Sequence, residues 1–339
     1  MADSPPSKAD GCITRARSAG REWTWRITMP DISMVHVDQA LTNVSIAYRN
    51  AQFIADQVFQ PIPVSKQSNK YFIYSKDRFR IMDDARRPGA RANEINWTLS
   101  TDTYFAEGHA LAQAIPDELR ANADQAIDVD VDTTETLTDL IYLQREIQVA
   151  SIATNPTVVT QNTVLSGTSQ WSDFNDSDPI AAVETQKATI QQQIGQPPNA
   201  LLVGYPVFLQ LRQHPKIIDR FKYTQVGILQ PDHLKSVFNV DYFLIGGAIK
   251  NVAKEGDPDN FQYIWGKNAL LFYKPPTPGR RTVSLGYQFT WLFGANTNGF
   301  LVKRYRDESR TADVVEVQLY YDAKVVAPSA AYLWQSAVA

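Results

Sequence analysis

Apolar and polar side chains alternate strictly just before position 100. Ile95, Trp97 and Leu99 fall on one face, and Glu94, Asn96, Thr98 and Ser100 on the other. Period-two alternation of this kind reads as a strand. Lys70 to Met82 supplies a descending partner, with Phe79 and Ile81 opposite Arg78 and Arg80. The segment between, Asp83 to Asn93, carries Pro88-Gly89 and five charges, the composition of a solvated turn. The pattern therefore predicts a long two-stranded ribbon over 70–115. Its descending strand would span roughly 40 Å at about 3.3 Å per residue. A two-stranded ribbon cannot bury its apolar stripe on itself and is marginal in water. We therefore expect it to lie on a neighbouring copy. The candidate contacts are Arg78, Arg80, Asp83, Asp84, Arg86, Arg87 and Arg91 around the tip, with Trp97 and Leu99 on the stripe.

The rest of the chain divides by the same signals. A short helical patch runs over 44–58, and Pro61 and Pro63 are expected to close it. Pro116-Asp117-Glu118 opens a short helix, with acids near the positive end of its dipole. Asp132, with Glu135 three residues on, reads as the cap of a longer helix over 132–154, which Pro156 ends. Asp178-Pro179 opens another helix, which stops at Gly195. Beyond Pro197-Pro198, short strands and helices alternate. Strands are expected at 200–203, 241–245, 268–273, 281–293 and 300–305, and helices at 206–212 and 231–238. Val315, Val317, Leu319 and Tyr321 alternate with Glu316, Gln318 and Tyr320 in a final strand.

Composition narrows the function classes. The chain has 339 residues, 44% hydrophobic and 20% charged, with a formal net charge of -3. That balance gives no global basic field for wrapping nucleic acid. Residues 1–28 hold five basic side chains against three acidic ones, which leaves -5 for the remainder. This segment reads either as a solvated extension or as a basic arm reaching a neighbour or packaged nucleic acid. The lone Cys12 excludes an intrachain disulfide framework. No apolar run is long enough to span a membrane.

The chemistry-bearing residues do not converge. Asp128, Asp130 and Asp132 open like a calcium loop, but Thr133 stands where the turn needs Gly and Asp139 where a bidentate Glu is required. The four histidines, His36, His109, His214 and His233, have no ligand spacing. No nucleophile elbow or phosphate-binding glycine loop is present. Neither a catalytic residue, a metal site nor a cofactor is expected. The competing reading is an α/β nucleotide- or sugar-binding enzyme built on 196–300.

The order of these elements resembles the major capsid protein of tailed bacteriophages, the Hong Kong 97 phage-type fold. The runs Pro116 to Asp124 and Thr133 to Ile141 are similar to that family's spine-helix region, and Trp265 to Tyr273 to a strand of its axial domain. The resemblance implies an α+β fold with an N-terminal arm (1–65), an extended loop (66–115) and a peripheral domain (116–195) with its spine helix at 132–154. An axial domain (196–300) and a returning peripheral-domain strand and tail (301–339) complete it. It further implies self-association into the hexamers and pentamers of an icosahedral shell, assembled in the host cytoplasm and found in the virion. Such a shell would enclose double-stranded DNA without reading its sequence. Only about 65 residues precede the ribbon, so a separate scaffolding protein is expected, with portal and decoration proteins as further partners. A cellular nanocompartment shell of the same fold is the nearest alternative.

Overall fold

A computed structural model describes residues 50, 53–74, 76–89, 91–95, 99–122, 129–221, 229–279, 282–293 and 299–339, with the side chains of 77 and 78 left aside. Its helices are α1 (Ala55–Val58), α2 (Asp117–Asn122), α3 (Val129–Ala153), α4 (Pro179–Ile194), α5 (Tyr205–Gln213), α6 (Pro215–Phe221) and α7 (Pro231–Val237). Its strands are β1 (Gln60–Val64), β2 (Ser68–Tyr74), β3 (Leu99–Phe105), β4 (Glu107–Pro116), β5 (Asn162–Val164), β6 (Ala200–Gly204), β7 (Tyr242–Gly246), β8 (Ile249–Asn251), β9 (Phe261–Tyr263), β10 (Ala269–Phe272), β11 (Gly286–Trp291), β12 (Phe300–Asp307), β13 (Ala312–Val325) and β14 (Ala331–Gln335).

The first sheet is organised by β13. β11 and β12 pair with it antiparallel, β4 pairs with it antiparallel, and β1 extends the sheet by a parallel pairing to β11. Val315, Val317, Leu319 and Tyr321 pack with Ile115 against Leu137 and Ile141 of α3. Of the helix expected over 44–58, α1 (Ala55–Val58) is described and ends ahead of the two prolines, while residues 44–49, 51 and 52 lie outside the described residues; the expectation did not extend to a strand at Pro61 and Pro63. They lie within β1, whose partner in the sheet is β11 alone, and proline is tolerated on such an edge because no N–H is needed on the open side.

The second sheet runs β5-β14-β10-β6-β7. β6 and β10 are buried at every position, which is why both read as continuous apolar runs. Leu201, Val203, Ala269 and Leu271 face Ile190, Val207, Leu211 and Leu234 of the helices α4, α5 and α7. Ala200, Leu202, Leu270 and Phe272 face the other way, onto Val149, Ala150 and Ala153 of α3. One helix therefore lines both sheets: the first half of α3 packs on the first sheet and its last turns on the second. At about 1.5 Å per residue it is a rod of roughly 37 Å. β13 lies in the first sheet and the last strand, β14, in the second.

Two helix ends follow local chemistry. The Asp178 carboxylate accepts from Ile180 N at 3.1 Å and Ala181 N at 3.0 Å, and α4 ends on Gly195 at φ 73°. α3 departs from expectation. It already runs at Val129, so Asp132 sits inside its first turn rather than capping it. Thr134 and Thr136 donate back to the carbonyls of Asp130 and Asp132 at 2.8 Å, which occupies hydroxyls that could otherwise mark a boundary.

The ribbon is shorter than its pattern predicts. Among the described residues, β2 and β3 pair from Ser68↔Phe105 to Tyr74↔Leu99. Lys76–Phe79 forms a 3-10 turn, and Ile81 and Ile95 lie outside the ladder. The chain after Ala106 leaves the ribbon because β4 finds a longer ladder along β13, from Glu107↔Tyr321 to Pro116↔Ala312.

Two polar clusters hold these parts together. The Glu146 carboxylate is fully buried on α3. It accepts from Ala55 N at 2.7 Å, from Ile54 N at 3.0 Å and from the Trp265 indole at 2.6 Å. At the far end of the first sheet, Asp313 accepts from Arg120, Arg304 and Arg306, while Arg306 also forks onto Asp117 at 2.6 and 2.7 Å. Arg120 further reaches Asp130 at the start of α3.

Each cluster sets an expected outcome. Glu146→Gln keeps the volume but turns an amide against the Ile54 and Ala55 N–H groups, and should cost roughly 1–3 kcal/mol in urea unfolding. Burial pushes the Glu146 carboxyl above its ordinary 4.5, against the opposing pull of the indole and the two backbone N–H donors. The folded state then holds its proton more tightly than the unfolded chain. Stability should fall as pH rises from about 4.5 through the raised value, and the Gln variant should lack that step. The Arg120 guanidinium, with Arg304 and Arg306, holds Asp313 down to about 2 from 3.8. Its contribution is present above 3.8 and lost as pH falls toward 2, so Asp313→Asn should flatten the acid limb of a thermal-stability profile there.

Candidate assembly interface

The two faces of the ribbon differ. On the inner face, Tyr104 and Tyr71 stack on Phe289 of β11, with ring centroids 4.5 and 5.4 Å away. The Tyr71 hydroxyl donates to Asp102 at 2.7 Å and the Tyr104 hydroxyl to the Lys66 carbonyl at 3.2 Å. Burial raises the phenol of Tyr71, and the hydrogen bond to Asp102 adds to it. The same hydrogen bond lowers Asp102. Phe105 N donates to the Asp322 carboxylate at 3.0 Å, and Lys324 reaches the Thr103 carbonyl. These contacts fix the ribbon's base on the first sheet.

On the outer face, large exposed apolar side chains alternate with Lys70, Thr101 and Thr103. Phe72, Phe105 and Leu99 are 60%, 54% and 49% exposed, and Tyr74 lies directly across the ladder from Leu99. Phe72, Tyr74 and Leu99 group at one end of the two short strands and Phe105 stands at the other, and exposed apolar side chains grouped in this way mark an interaction surface. Sequence reasoning found Leu99 here and missed Phe72, Tyr74 and Phe105. The Phe72/Tyr74 alternation was the available signal, masked by reading the descending strand onward to Met82.

Beyond the ladder, the tip touches the second half of the chain at Phe79. The Phe79 ring rests against Gly195, at the end of α4, so closely that a Cβ there would lie 2.9 Å from it. From Arg80 onward the described residues of the tip are exposed, Ile81 completely. Asp83 accepts from Ala85 N at 3.0 Å, and the Asn93 side chain donates to the Asp83 carbonyl at 2.7 Å. Those two bonds close the loop. Arg80, Asp83, Asp84, Arg86, Arg87 and Arg91 are exposed on this one loop, and Leu99 stands apart at the end of the ladder. The side chain of Arg78 and the whole of Trp97 lie outside the described residues.

The other candidate groups are engaged within the fold. Asp130 accepts from Arg120 and Arg304, and Asp128 lies outside the described residues. His214 is buried beside Ser177 at 3.1 Å, and burial lowers its pKa. His109 stacks on Tyr321 at 4.4 Å, and His233 accepts from Gln230 N at 3.0 Å. Among the described residues, no group of three His, Cys, Asp or Glu side chains could hold a metal ion. No described helix is long and apolar enough to cross a membrane.

Comparison with known proteins matches this architecture. Residues 120–284 match the family model of phage major capsid protein E. The major capsid protein of Burkholderia phage BcepMu is 33% identical over 242 residues, 70% of this chain and 76% of the relative. The crystal structure of a phage-related protein from Bordetella bronchiseptica RB50 is 28% identical and superposes with a TM-score of 0.67, covering 89% of this chain and 97% of its own. The capsid structure of cyanophage P-SCSP1u, 13% identical, has the same fold at a TM-score of 0.56 over 86% of this chain and 90% of its own. The two sheets bridged by one long helix are thus the Hong Kong 97 phage-type capsid fold, and the chain belongs to the phage major capsid proteins.

Proposed function

We propose that the ribbon of each subunit of this shell-forming capsid protein clasps an adjacent copy. The observation that carries the reading is the exposed outer face of Phe72, Tyr74, Leu99 and Phe105 on a ribbon whose inner face is tied to the first sheet. Each of these side chains is about half covered already, so a neighbour would add on the order of 1 kcal/mol per residue. That is modest for one contact. Repeated around a closed shell, such contacts sum to a stability no single interface supplies.

In this reading the first sheet with α3 is the peripheral domain and the second sheet with α4 to α7 the axial domain. β14 then belongs to the axial domain through its pairing with β10. Copies gather into hexamers and pentamers. The protein works as a structural unit with no reaction to catalyse. A separate scaffolding protein guides assembly in the host cytoplasm, and portal and decoration proteins complete the particle. Double-stranded DNA is enclosed rather than gripped, because the chain beyond residue 28 carries a net -5 and its sequence clusters no Lys and Arg outside the ribbon tip to release counterions.

Electron microscopy of purified particles, with an assay of their nucleic-acid content, tests the whole reading: closed shells holding DNA are expected. Shells filled with protein cargo would favour a nanocompartment instead. For the clasp, Phe72→Asp with Leu99→Asp should leave the subunit's melting temperature unchanged, since exposed substitutions usually move stability by no more than about 0.5 kcal/mol. The same variant should fail to form shells. A monomer that unfolds would show that this face packs within its own chain.

A further inference from the structure

We infer that the corner between α5 and α6 is an acid-released latch, closed while the buried imidazole of His214 is neutral and opened when that ring takes up a proton. The latch does not depend on the clasp.

His214 is the joint of the two helices. Its N–H donates to the Leu211 carbonyl at 3.3 Å and ends α5, and its carbonyl accepts from Ile217 N at 3.0 Å and Ile218 N at 3.1 Å and starts α6. Leu211 and Ile217 on either side are fully buried, and so is His214 itself. Its ring is turned onto the segment ahead of α4. Nε2 lies 3.1 Å from the Ser177 hydroxyl, and the Phe174 ring meets the imidazole edge-on at 5.6 Å.

The hydrogens decide the state of the ring. A serine hydroxyl has one to give. Ser177 gives it to the Asp173 carbonyl at 2.5 Å, so toward the ring its oxygen accepts, and Nε2 carries the proton. The lone pair is then on Nδ1, which is buried without a partner among the described residues. A proton arriving there makes a buried cation whose new N–H has no acceptor, a state that a folded interior holds only at high cost.

The surrounding charges give little relief. Lys216, two residues on in α6, opposes the new charge. Asp178 favours it, but that carboxylate already caps α4 through Ile180 N and Ala181 N and pairs with Lys216 at 3.6 Å. The Asp173 carboxylate is turned onto its own loop, to Asn175 N and Asp176 N, and Arg212 of α5 lies over the Phe208 ring. Burial, with Lys216, holds the imidazole below its ordinary 6.5. The opened corner therefore binds the proton from 6.5 downward and the closed corner only at lower pH. The latch is whole above 6.5 and weakens as pH falls from there through the lowered value, its opening constant rising roughly tenfold per pH unit. A leucine at this joint would pack alike at every pH; a histidine packs only while neutral. Opening frees α6 from the Ser177 segment, while the ladders of β6 with β7 and β10, which do not involve His214, stay paired.

Amide hydrogen exchange on the full chain tests this. Between about pH 7.5 and about pH 5, protection of the Ile217 and Ile218 amides, corrected for intrinsic exchange, should fall roughly tenfold per unit once below 6.5, while β6 and β10 keep theirs. His214→Gln, whose amide can still donate to Ser177 but does not titrate, should abolish that dependence. Lys216→Gln removes the opposing charge and should move the end of the fall to higher pH. In isotope-labelled protein at neutral pH, the nitrogen shifts of the His214 ring should be those of the Nε2–H form, a readout that needs no variant and decides the matter even if His214→Gln fails to fold. Constant α6 protection across the range, an undiminished pH dependence in the folded Gln variant, an unmoved end point in Lys216→Gln, or a neutral ring carrying its proton on Nδ1 would each overturn the inference.

Discussion

Glu146 is the constraint on which the rest of the fold depends. A carboxylate with no access to solvent is costly unless its oxygens are satisfied. Here they receive the backbone N–H groups of Ile54 and Ala55 and the Trp265 indole. The donors come from two distant parts of the chain: the first turn of α1 and the loop that leads into β10. α3 carries the acceptor. One side chain thus registers the entry of the chain, the long helix and the second sheet against each other. Around it, Val149, Ala150, Ala153, Phe59 and Leu270 exclude water, and that exclusion is what makes the hydrogen bonds strong. Beside it, Arg145 reaches Asp56 at 2.6 Å and lies over the Tyr142 ring, so the next residue of α3 ties down α1 as well.

A rigid body of this kind gives the ribbon something to be held by. The inner-face tyrosines, the Asp322 and Lys324 contacts and the Phe289 ring fix where the ribbon leaves the first sheet. What extends past them is exposed on both its apolar and its charged sides. The division between an anchored base and an exposed outer face is what the proposed clasp would require. Surface that is to be covered by another copy cannot be covered by the subunit itself, yet it must be presented at a fixed angle for a repeating shell to close.

Local chemistry was legible wherever it acted alone. The Asp178 cap, the Gly195 stop and the buried runs of β6 and β10 stood in the structure where the sequence put them. The ribbon was legible as extended chain ending in a charged turn, but not in length. Its returning arm has two partners, β2 for the first part and β13 for the rest, and period-two alternation reads the same against either. Three of the four apolar side chains of the outer face were missed for the same reason: Phe72, Tyr74 and Phe105 become an outward face only once the pairing of β2 with β3 is known.

By itself, the sequence determined where α4 begins and ends, that 200–203 and 269–272 are extended and buried, and that an apolar ribbon leads into a charged tip. Those outcomes rest on interactions within a few residues. The tertiary structure alone decided that Pro61 and Pro63 sit in an edge strand, that α3 starts ahead of Asp132, that β14 joins the second sheet, and that Glu146 is buried. Each of these depends on a partner distant in sequence: β11, the Arg120–Asp130 pair, β10 and Trp265 in turn. The energy that places a residue against such a partner comes from burial and hydrogen bonding across the fold, and no window of neighbouring residues carries it.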